Sequence, residues 1–463
     1  MRIVLAVLLS GALASPAAAL QVVTPEFFAA HREKLLARLP PGSIAVFHAA
    51  PARDGVSGDP YRQDSDFWYL TGLDEPEAVA VLQPGAPRES RYVLFVQPRD
   101  FAAEQWTGWR AGVEGAVKEL GAGQAFPSAD FFGRFAALAP PATSLFYDSG
   151  GDEAFAGKLL AAWNATNANS AAPRPAADAA PITAALRLVK DEVERKLLRE
   201  ACAISADAHV AAMRATAAGR HEYDIKAAMV GLCLSRGAAR MAYPPIVGAG
   251  RNSVILHYER DDKELRDGEV IVNDTGCEFQ MYAADVTRTF PVSGRFSPDQ
   301  RKIYELVFAA QEAGFAAVKP GAAFHEVYDA TVRVVVDGLL SLGILTGDRN
   351  EIVRTRAYQK FYPHGSSHWI GLDVHDAGSY GNPDGVARLE RYGLSQTKLE
   401  PGMALTVEPG IYIPENSTAD PRWWNIGVRI EDTVLVTPQG YECLSCGAPR
   451  ALADIERTME RTH

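Results

Sequence analysis

Residues 271–291, IVNDTGCEFQMYAADVTRTFP, constrain the fold more than any other part of the chain. They read as two short apolar strands joined by a tight turn, each strand carrying one aspartate, Asp274 and Asp285. A turn centred on Phe279-Gln280 would set these aspartates directly opposite each other, with Cβ atoms roughly 5 Å apart. Phe-Gln is not the Asn-Gly pair that fixes a two-residue hairpin, so a longer loop with another register also fits. Two facing carboxylates on one sheet face repel, and they stay together when one is protonated or a cation lies between them. Two aspartates flanking a solvated turn would be the plainer account of this segment alone. The segments that follow along the chain argue against it.

The first residues carry an address. Arg2 is followed by an apolar run over 3–13 and by Ser15-Pro16-Ala17-Ala18-Ala19, in which Ala17 and Ala19 satisfy the small-x-small cleavage rule. That run is shorter than the roughly 20 residues a bilayer span needs. It predicts a cleaved secretory signal over residues 1–19, a mature chain starting at about Leu20, and export, with a periplasm as the destination. No cysteine sits at the cleavage point, which argues against a lipid anchor, and no later stretch is long and apolar enough to predict a membrane span. Formal net charge is −11 and no Lys/Arg cluster tracks phosphates, which excludes nucleic acid as an expected partner. The five cysteines are too few and too scattered to predict a disulfide framework. Cys443 and Cys446 form a C-x-x-C after a strand, with no second pair and no nearby histidine. Zinc and redox chemistry are poorly supported there, and a local disulfide stays open.

From residue 20 to about 160, helix-like and strand-like pieces alternate. Residues 27–39 predict an amphipathic helix, and 43–47, 78–82 and 92–96 predict strands, together a small α/β domain. Residues 61–72, YRQDSDFWYLTG, mix aromatic and polar groups and fit an edge strand or an association surface. Residues 161–182 are rich in Ala, Asn and Pro, a linker composition that sets the domain boundary near 180. Beyond it, Asp191 with Glu194 makes a capping-box pattern opening a helix to about 218, and Ser297-Pro298-Asp299-Gln300 opens another to about 319. Further helices are predicted over 223–235 and 324–342. Long helices mixed with hairpins make the second half α+β.

Three later segments place polar residues where apolar ones are expected. Residues 364–376, HGSSHWIGLDVHD, hold three of the ten histidines. Residues 403–410, MALTVEPG, read as a strand ended by proline, with Thr406 and Glu408 on one face. Residues 426–436, IGVRIEDTVLV, alternate with period two, placing Val428 and Ile430 on one face and Arg429 and Glu431 on the other. Four strand carboxylates and a histidine in apolar surroundings cost many kcal/mol to bury without a counter-charge. Arg429 alone does not neutralise four, whereas a pair of divalent cations would. One imidazole among carboxylates is a mostly hard donor set that suits manganese, with zinc, cobalt or iron also compatible.

The order Asp274, Asp285, His368, Glu408, Glu431, with D-x10-D, H-G-S-S-H, E-P-G and R-I-E-D, resembles the metal-ligand pattern of the pita-bread metallopeptidases. That family includes methionine aminopeptidase, prolidase and aminopeptidase P. The resemblance implies an α+β pita-bread catalytic domain over 185–463, in which two α+β halves enclose a curved antiparallel sheet. A smaller α/β domain of the creatinase/aminopeptidase P N-terminal kind would precede it over 20–180. YRQDSDFWYLTGLDEPEAV, RLVKDEVE, the histidine-rich run and NIGVRIEDTVLVT are similar to the aminopeptidase P subgroup, so the resemblance covers nearly the whole mature chain. It implies release of an N-terminal residue that precedes proline, by a water activated between two divalent cations, Mn2+ foremost and Zn2+, Co2+ or Fe2+ as alternatives.

By the same resemblance, Asp285 and Glu431 would bridge the metals, Asp274 would complete one, and His368 with Glu408 the other. Glu408 would also take the water's proton and pass it toward the leaving proline nitrogen. His257 and His375 would position the substrate carbonyl and stabilise its developing charge, with His364 and Arg429 in support and Tyr412 lining the site. Trp106 resembles an aromatic that reaches a neighbouring subunit's site, and a homodimer or a tetramer of dimers is implied. The chain departs from the pattern by an apparent insertion over 382–398. The rival readings are a prolidase limited to Xaa-Pro dipeptides, a binding protein that lost catalysis, and a metal-free amidino hydrolase of the same fold. Neither of the last two is expected to keep all five ligands.

Overall fold

The computed structural model describes residues 23–52, 61–166, 174–381 and 396–460. The expected signal at 1–19 and most of the expected insertion at 382–398 lie outside them. In the first half, the apolar runs Ser43–His48, Val79–Leu82 and Tyr92–Val96 are strands buried on both faces. They form the middle of a six-stranded sheet in the order Gln124–Pro127, Tyr92–Val96, Val79–Leu82, Ser43–His48, Ser144–Asp148, Ala176–Asp178. The sheet is mixed, with Ser43–His48 antiparallel to Val79–Leu82 and parallel to Ser144–Asp148. Phe131, Phe135, Phe155 and Trp163 cover one face. Phe27, Phe28 and Leu35 of the helix Pro25–Arg38 cover the other. The stretch expected as a linker is partly structured. Its first residues complete the helix Glu153–Ala165 and Ala176–Asp178 forms the sheet edge, while 167–173 lie outside the described residues.

Residues 61–72 are neither an edge strand nor an exposed surface. Ser65–Thr71 is a short helix with every residue buried; the Asp64 side chain caps the Phe67 N–H, and Gly72, at φ 70°, ends the helix in the left-handed region. The start and stop signals were those two residues, and the aromatic run between them masked the pattern. Trp68 of this helix meets Tyr282 edge-on, ring centroids 6.2 Å apart. One apolar cluster therefore runs unbroken from Phe28 through Trp68 and Tyr282 to Ile303.

In the second half, the capping boxes at Asp191/Glu194 and Ser297/Gln300 open the helices Glu192–Ala215 and Pro298–Ala317. With Glu222–Ser235 and His325–Ser341 they flank antiparallel sheets that include, besides the three-stranded one built on the hairpin strands Cys277–Phe279 and Tyr282–Ala283, two further three-stranded sheets. One orders Thr287–Pro291, Val270–Asp274 and Ile246–Ala249; the other orders Ala404–Val407, Asp432–Thr437 and Gly440–Cys443. Isolated bridges join Thr287 to Glu431 and Trp369 to Leu405. This is the α+β architecture expected. Among the described residues, no helix is long and apolar enough to cross a membrane.

The structure corrects three local expectations. In the hairpin Phe279 pairs with Tyr282, so the turn is Gln280-Met281, at φ 46° and 70°, rather than Phe279-Gln280. Asp274 consequently faces Thr287, and Asp285 is its diagonal neighbour on the same sheet face. Residues 426–436 are not one strand. Pairing stops at Arg429 and resumes at Asp432, because the Ile430 N–H turns to the Pro409 carbonyl and the Glu431 N–H to the Thr287 carbonyl. Glu431 thus sits where the chain crosses from the two-stranded pairing of Ile426–Arg429 with Gly410–Ile413 into the sheet that holds Asp432–Thr437. Finally, four of the five cysteines pair, as Cys233–Cys277 and Cys443–Cys446, leaving Cys202 buried and free. The first bridge ties the helix Glu222–Ser235 to the hairpin across 44 residues, a separation that conceals a pairing in sequence.

Gly276, between the two aspartates, has no room for a side chain: a methyl group there would overlap the Ala284 carbonyl oxygen. The obstacle is backbone, so relief requires the hairpin to move. Gly276→Ala is expected to destabilise the protein by about 1–3 kcal/mol in urea denaturation; unchanged stability would show that the hairpin yields freely.

Candidate metal centre

Five elements deliver the five expected ligands to one place. Asp274 ends the strand Val270–Asp274, Asp285 lies on the returning arm of the hairpin, and Glu431 sits at the sheet crossing. Glu408 follows the strand Ala404–Val407, and its N–H bonds to the Ser366 carbonyl. His368 is held alongside, its N–H donating to Thr406 Oγ1 at 3.1 Å. His368 Nε2 is 3.4 Å from Asp285 Oδ2 and 3.5 Å from Glu408 Oε1. Donor atoms of Asp285, His368 and Glu431 all lie within 4.8 Å of one another, and all three residues are buried. The hydroxyl of Tyr243 joins the aspartates, 2.5 Å from Asp274 Oδ1 and 2.6 Å from Asp285 Oδ1.

The electrostatics of this cluster are those of a site short of positive charge. Burial drives the Glu431 carboxyl well above its ordinary range, and the charges of Asp285, Glu408 and Asp274 push it further. Burial also raises Glu408 to about 7, with the His368 charge opposing. For His368 burial disfavours the imidazolium, but the hydrogen bond to Asp285 and the Glu408 charge outweigh it and bring the ring to about 9. Arg429 serves Asp274, 2.6 Å from its Oδ2. The donor set therefore fits divalent cations: carboxylate oxygens carrying more negative charge than the protein neutralises, with one imidazole nitrogen. His368 is prepared for the same role, because its Nδ1 donates to the Trp369 carbonyl at 3.1 Å and leaves Nε2 facing the carboxylates.

The supporting residues expected from the sequence also meet here. His364 Nε2 lies 2.8 Å from the Tyr412 hydroxyl, which is 2.7 Å from Arg429 Nη1. Burial lowers His364 to about 3, with Arg429 adding to the effect, so the ring is neutral and accepts from Tyr412. His257 and His375 line, with His364, His368 and Glu408, a cavity of about 320 Å3 that opens to solvent. The His375 ring centroid is 4.2 Å from that of His368, and burial with the neighbouring His368 charge lowers His375 to about 4. Trp106 is not brought to this cavity; it is 89% exposed on the helix Phe101–Thr107 of the first domain.

Several contributors escaped the sequence reading. Tyr243 sits in a loop with no motif to announce it. Arg288 and Asp432 form a fully buried ion pair at 2.7 Å, and Arg288 also donates to the Glu431 carbonyl at 2.6 Å, fixing the backbone at the crossing. His209 lies behind the hairpin, its Nε2 3.1 Å from the Thr275 carbonyl and 3.0 Å from the Val286 carbonyl, so one imidazole clasps the residues next to both aspartates. In the sequence it is one apolar-face position of a long helix.

The model described as "Metallopeptidase family M24" matches residues 196–438, and the one described as "Aminopeptidase P, N-terminal domain" matches 28–146. The chain belongs to metallopeptidase family M24. Within it, the chain is 38% identical to the Xaa-Pro aminopeptidase of Escherichia coli K12, over 94% of this chain and 98% of that protein. Pseudomonas aeruginosa aminopeptidase PepP has a solved structure that is 42% identical, with a TM-score of 0.88 over 94% of this chain and 98% of its own. The E. coli aminopeptidase P, solved with the inhibitor Pro-Leu and also in a zinc-substituted form with product, is 37% identical with a TM-score of 0.87, over 94% of this chain and 98% of its own.

In this M24 chain the histidine-bearing loop is also fastened to the first domain. Arg62 donates to the Leu372 carbonyl at 2.7 Å and to Asp373 at 3.1 Å, and Ser65 donates to Asp373 at 2.8 Å. Arg187, buried, joins Asp66, Asp373 and Asp376, and Lys190 joins Asp376 at 2.8 Å. His375 stands between two of these anchored aspartates.

His209 gives the centre a pH-dependent support. Burial, with Arg288 nearby, lowers its pKa from 6.5 to about 3, so below 6.5 the unfolded chain binds a proton that the folded chain refuses. The stability it contributes is complete above pH 6.5 and is lost as the pH falls toward 3. Between pH 4 and 6, His209→Gln is expected to reduce the slope of unfolding free energy against pH by about one proton. An unchanged slope in urea titrations would assign the acid sensitivity elsewhere.

Proposed function

We propose that the chain is a Xaa-Pro aminopeptidase, releasing the N-terminal residue from peptides with proline second. The observation that carries the reading is that Asp274, His368 and Glu408 line one solvent-open cavity, with donor atoms of Asp285 and Glu431 within 4.8 Å of one on His368. The names of the relatives, which match nearly the full length of this chain, support the substrate class. The division into a domain over 20–180 and a catalytic domain from about 185 is supported by the first sheet, which ends at Asp178.

Asp274, Asp285, His368, Glu408 and Glu431 would together hold two divalent cations, Asp285 and Glu431 being the carboxylates placed to serve both. Manganese suits this oxygen-rich set, and zinc, cobalt or iron are compatible with it. The cations, when bound, supply Lewis acidity that makes a water nucleophilic near neutral pH and polarises the scissile carbonyl. Glu408 accepts the attacking water's proton and returns it to the leaving proline nitrogen. His375, a neutral ring, and His257 hold the substrate carbonyl oxygen as its charge develops. Arg429, tied to Asp274 and Tyr412, and His364, tied to Tyr412, keep these groups in register. An assembly of two or four copies is proposed on the exposure of Phe101, Trp106 and Trp109, a patch that association would cover and that sedimentation velocity would test.

The decisive experiment compares an Xaa-Pro dipeptide with an Xaa-Pro-Xaa tripeptide on metal-stripped protein, with and without added manganese. Metal-dependent release of the tripeptide's first residue is expected, and Glu408→Ala should lower kcat by about 100-fold or more. Cleavage of the dipeptide alone would make the chain a prolidase. The proposed export has its own readout: protein recovered from a bacterial periplasm should begin at about Leu20, and an intact Met1 there would overturn the signal.

A further inference from the structure

Within the peptidase reading, on which it rests, the structure also points to what lies at the far end of the substrate. The cavity of about 320 Å3 has buried Asp274 and His368 at its floor; its exposed lining residues are His257 and His375, which the peptidase reading gives to the substrate carbonyl, and Arg356, Gln359 and Pro363. A space at the small end of ligand cavities encloses a peptide of only a few residues. A substrate whose first residue reaches the floor and whose scissile carbonyl meets the two histidines has Arg356, Gln359 and Pro363 as the remaining exposed lining of the cavity.

The segment 349–360 carries four cations. Arg349 is paired with Asp337 and Arg354 with Glu351. Among the described residues neither Arg356 nor Lys360 has a carboxylate partner, and only Arg356 lines the cavity. Its backbone is unusual as well. At φ 55° Arg356 occupies the left-handed region, where glycine and asparagine are comfortable and a long side chain is uncommon. Two helix ends hold it there: its N–H closes the helix Arg349–Thr355 on the Ile352 and Val353 carbonyls, and its own carbonyl accepts the Gln359 N–H at 2.9 Å. A guanidinium with no carboxylate partner among the described residues, kept on such a backbone in the lining of the candidate site of a chain with net charge −11, is placed to receive an anion.

We infer that Arg356 binds the C-terminal carboxylate of a short peptide, making the enzyme selective for oligopeptides of a few residues with a free C-terminus. The guanidinium offers the paired donors that a carboxylate accepts, and the neighbouring Gln359 amide adds another. Arg356 acts on binding and touches none of the groups assigned to proton transfer, so its removal should appear in KM rather than kcat.

The test uses the metal-loaded full chain and one Xaa-Pro-Xaa tripeptide, as the free acid and as the C-terminal amide, and reads the ratio of their kcat/KM values. The parent is expected to favour the acid by about three- to tenfold, a preference that shrinks as salt rises. In Arg356→Asn, which suits the left-handed backbone, the ratio should fall to near one through KM; Arg356→Glu should favour the amide, and Arg356→Lys should retain part of the preference. A parent ratio near one, or an Arg356→Asn ratio equal to the parent's, overturns the assignment while leaving the aminopeptidase reading intact. Failure of the parent to cleave either peptide overturns both. Should the Asn variant not fold, the parent's ratio and its salt dependence decide alone, a salt-independent ratio counting against Arg356.

Discussion

Four carboxylates drawn into one buried pocket repel one another, and much of the surrounding structure works to hold them there. Two unit charges 4 Å apart near a protein surface interact by about 4 kcal/mol, so several such pairs together exceed what one arginine offsets. The chain supplies Arg429 to Asp274, Thr287 to Glu431 and Tyr243 to both aspartates. These contacts orient the oxygens without neutralising the set, and the raised pKa values of Glu408 and Glu431 record what is left over. A cluster kept this far out of balance is rational when divalent cations complete it.

Orientation then becomes a question of backbone. Each ligand is fixed by a contact behind it rather than by its own side chain's packing: His209 clasps the hairpin at Thr275 and Val286, and Arg288 with Asp432 pins the crossing at Glu431. A fully buried pair such as Arg288–Asp432 is weak evidence for stability, since desolvation cancels much of its Coulomb gain. Its hydrogen bond to the Glu431 carbonyl gives it a positional use that an apolar pair of equal volume lacks.

The legible part of the sequence was the part with chemistry in it. Carboxylates in apolar strands are conspicuous because burial makes them costly, and the capping boxes are conspicuous because they repeat a fixed spacing. The helix Ser65–Thr71 was obscured because seven consecutive buried residues have no periodicity; only Asp64 and Gly72 marked its ends. The hairpin register slipped because Gln280 and Met281 adopt positive φ without the glycine that usually announces it. The clamps at His209, Tyr243 and Arg288 carry no sequence signal, since a buried polar residue is recognised by its partners and those partners are distant in the chain.

The position of the first domain follows from the same logic. Its buried helix sets Trp68 against Tyr282 of the hairpin, while Arg62 and Ser65 close on the loop that carries His368 and His375, and Asp66 is joined to that loop's aspartates through Arg187, with Lys190 completing the ion network. That loop has little regular secondary structure, so its backbone would otherwise be free to move. Here its two aspartates on either side of His375 are spent on cations that the first domain and the helix Ala180–Arg187 present. Removing Arg187 would leave Asp66 without its ion-pair partner, while Asp376 keeps Lys190, a loss of about 3–5 kcal/mol for the one broken buried pair. The N-terminal domain is therefore part of the apparatus that holds the histidines over the cavity.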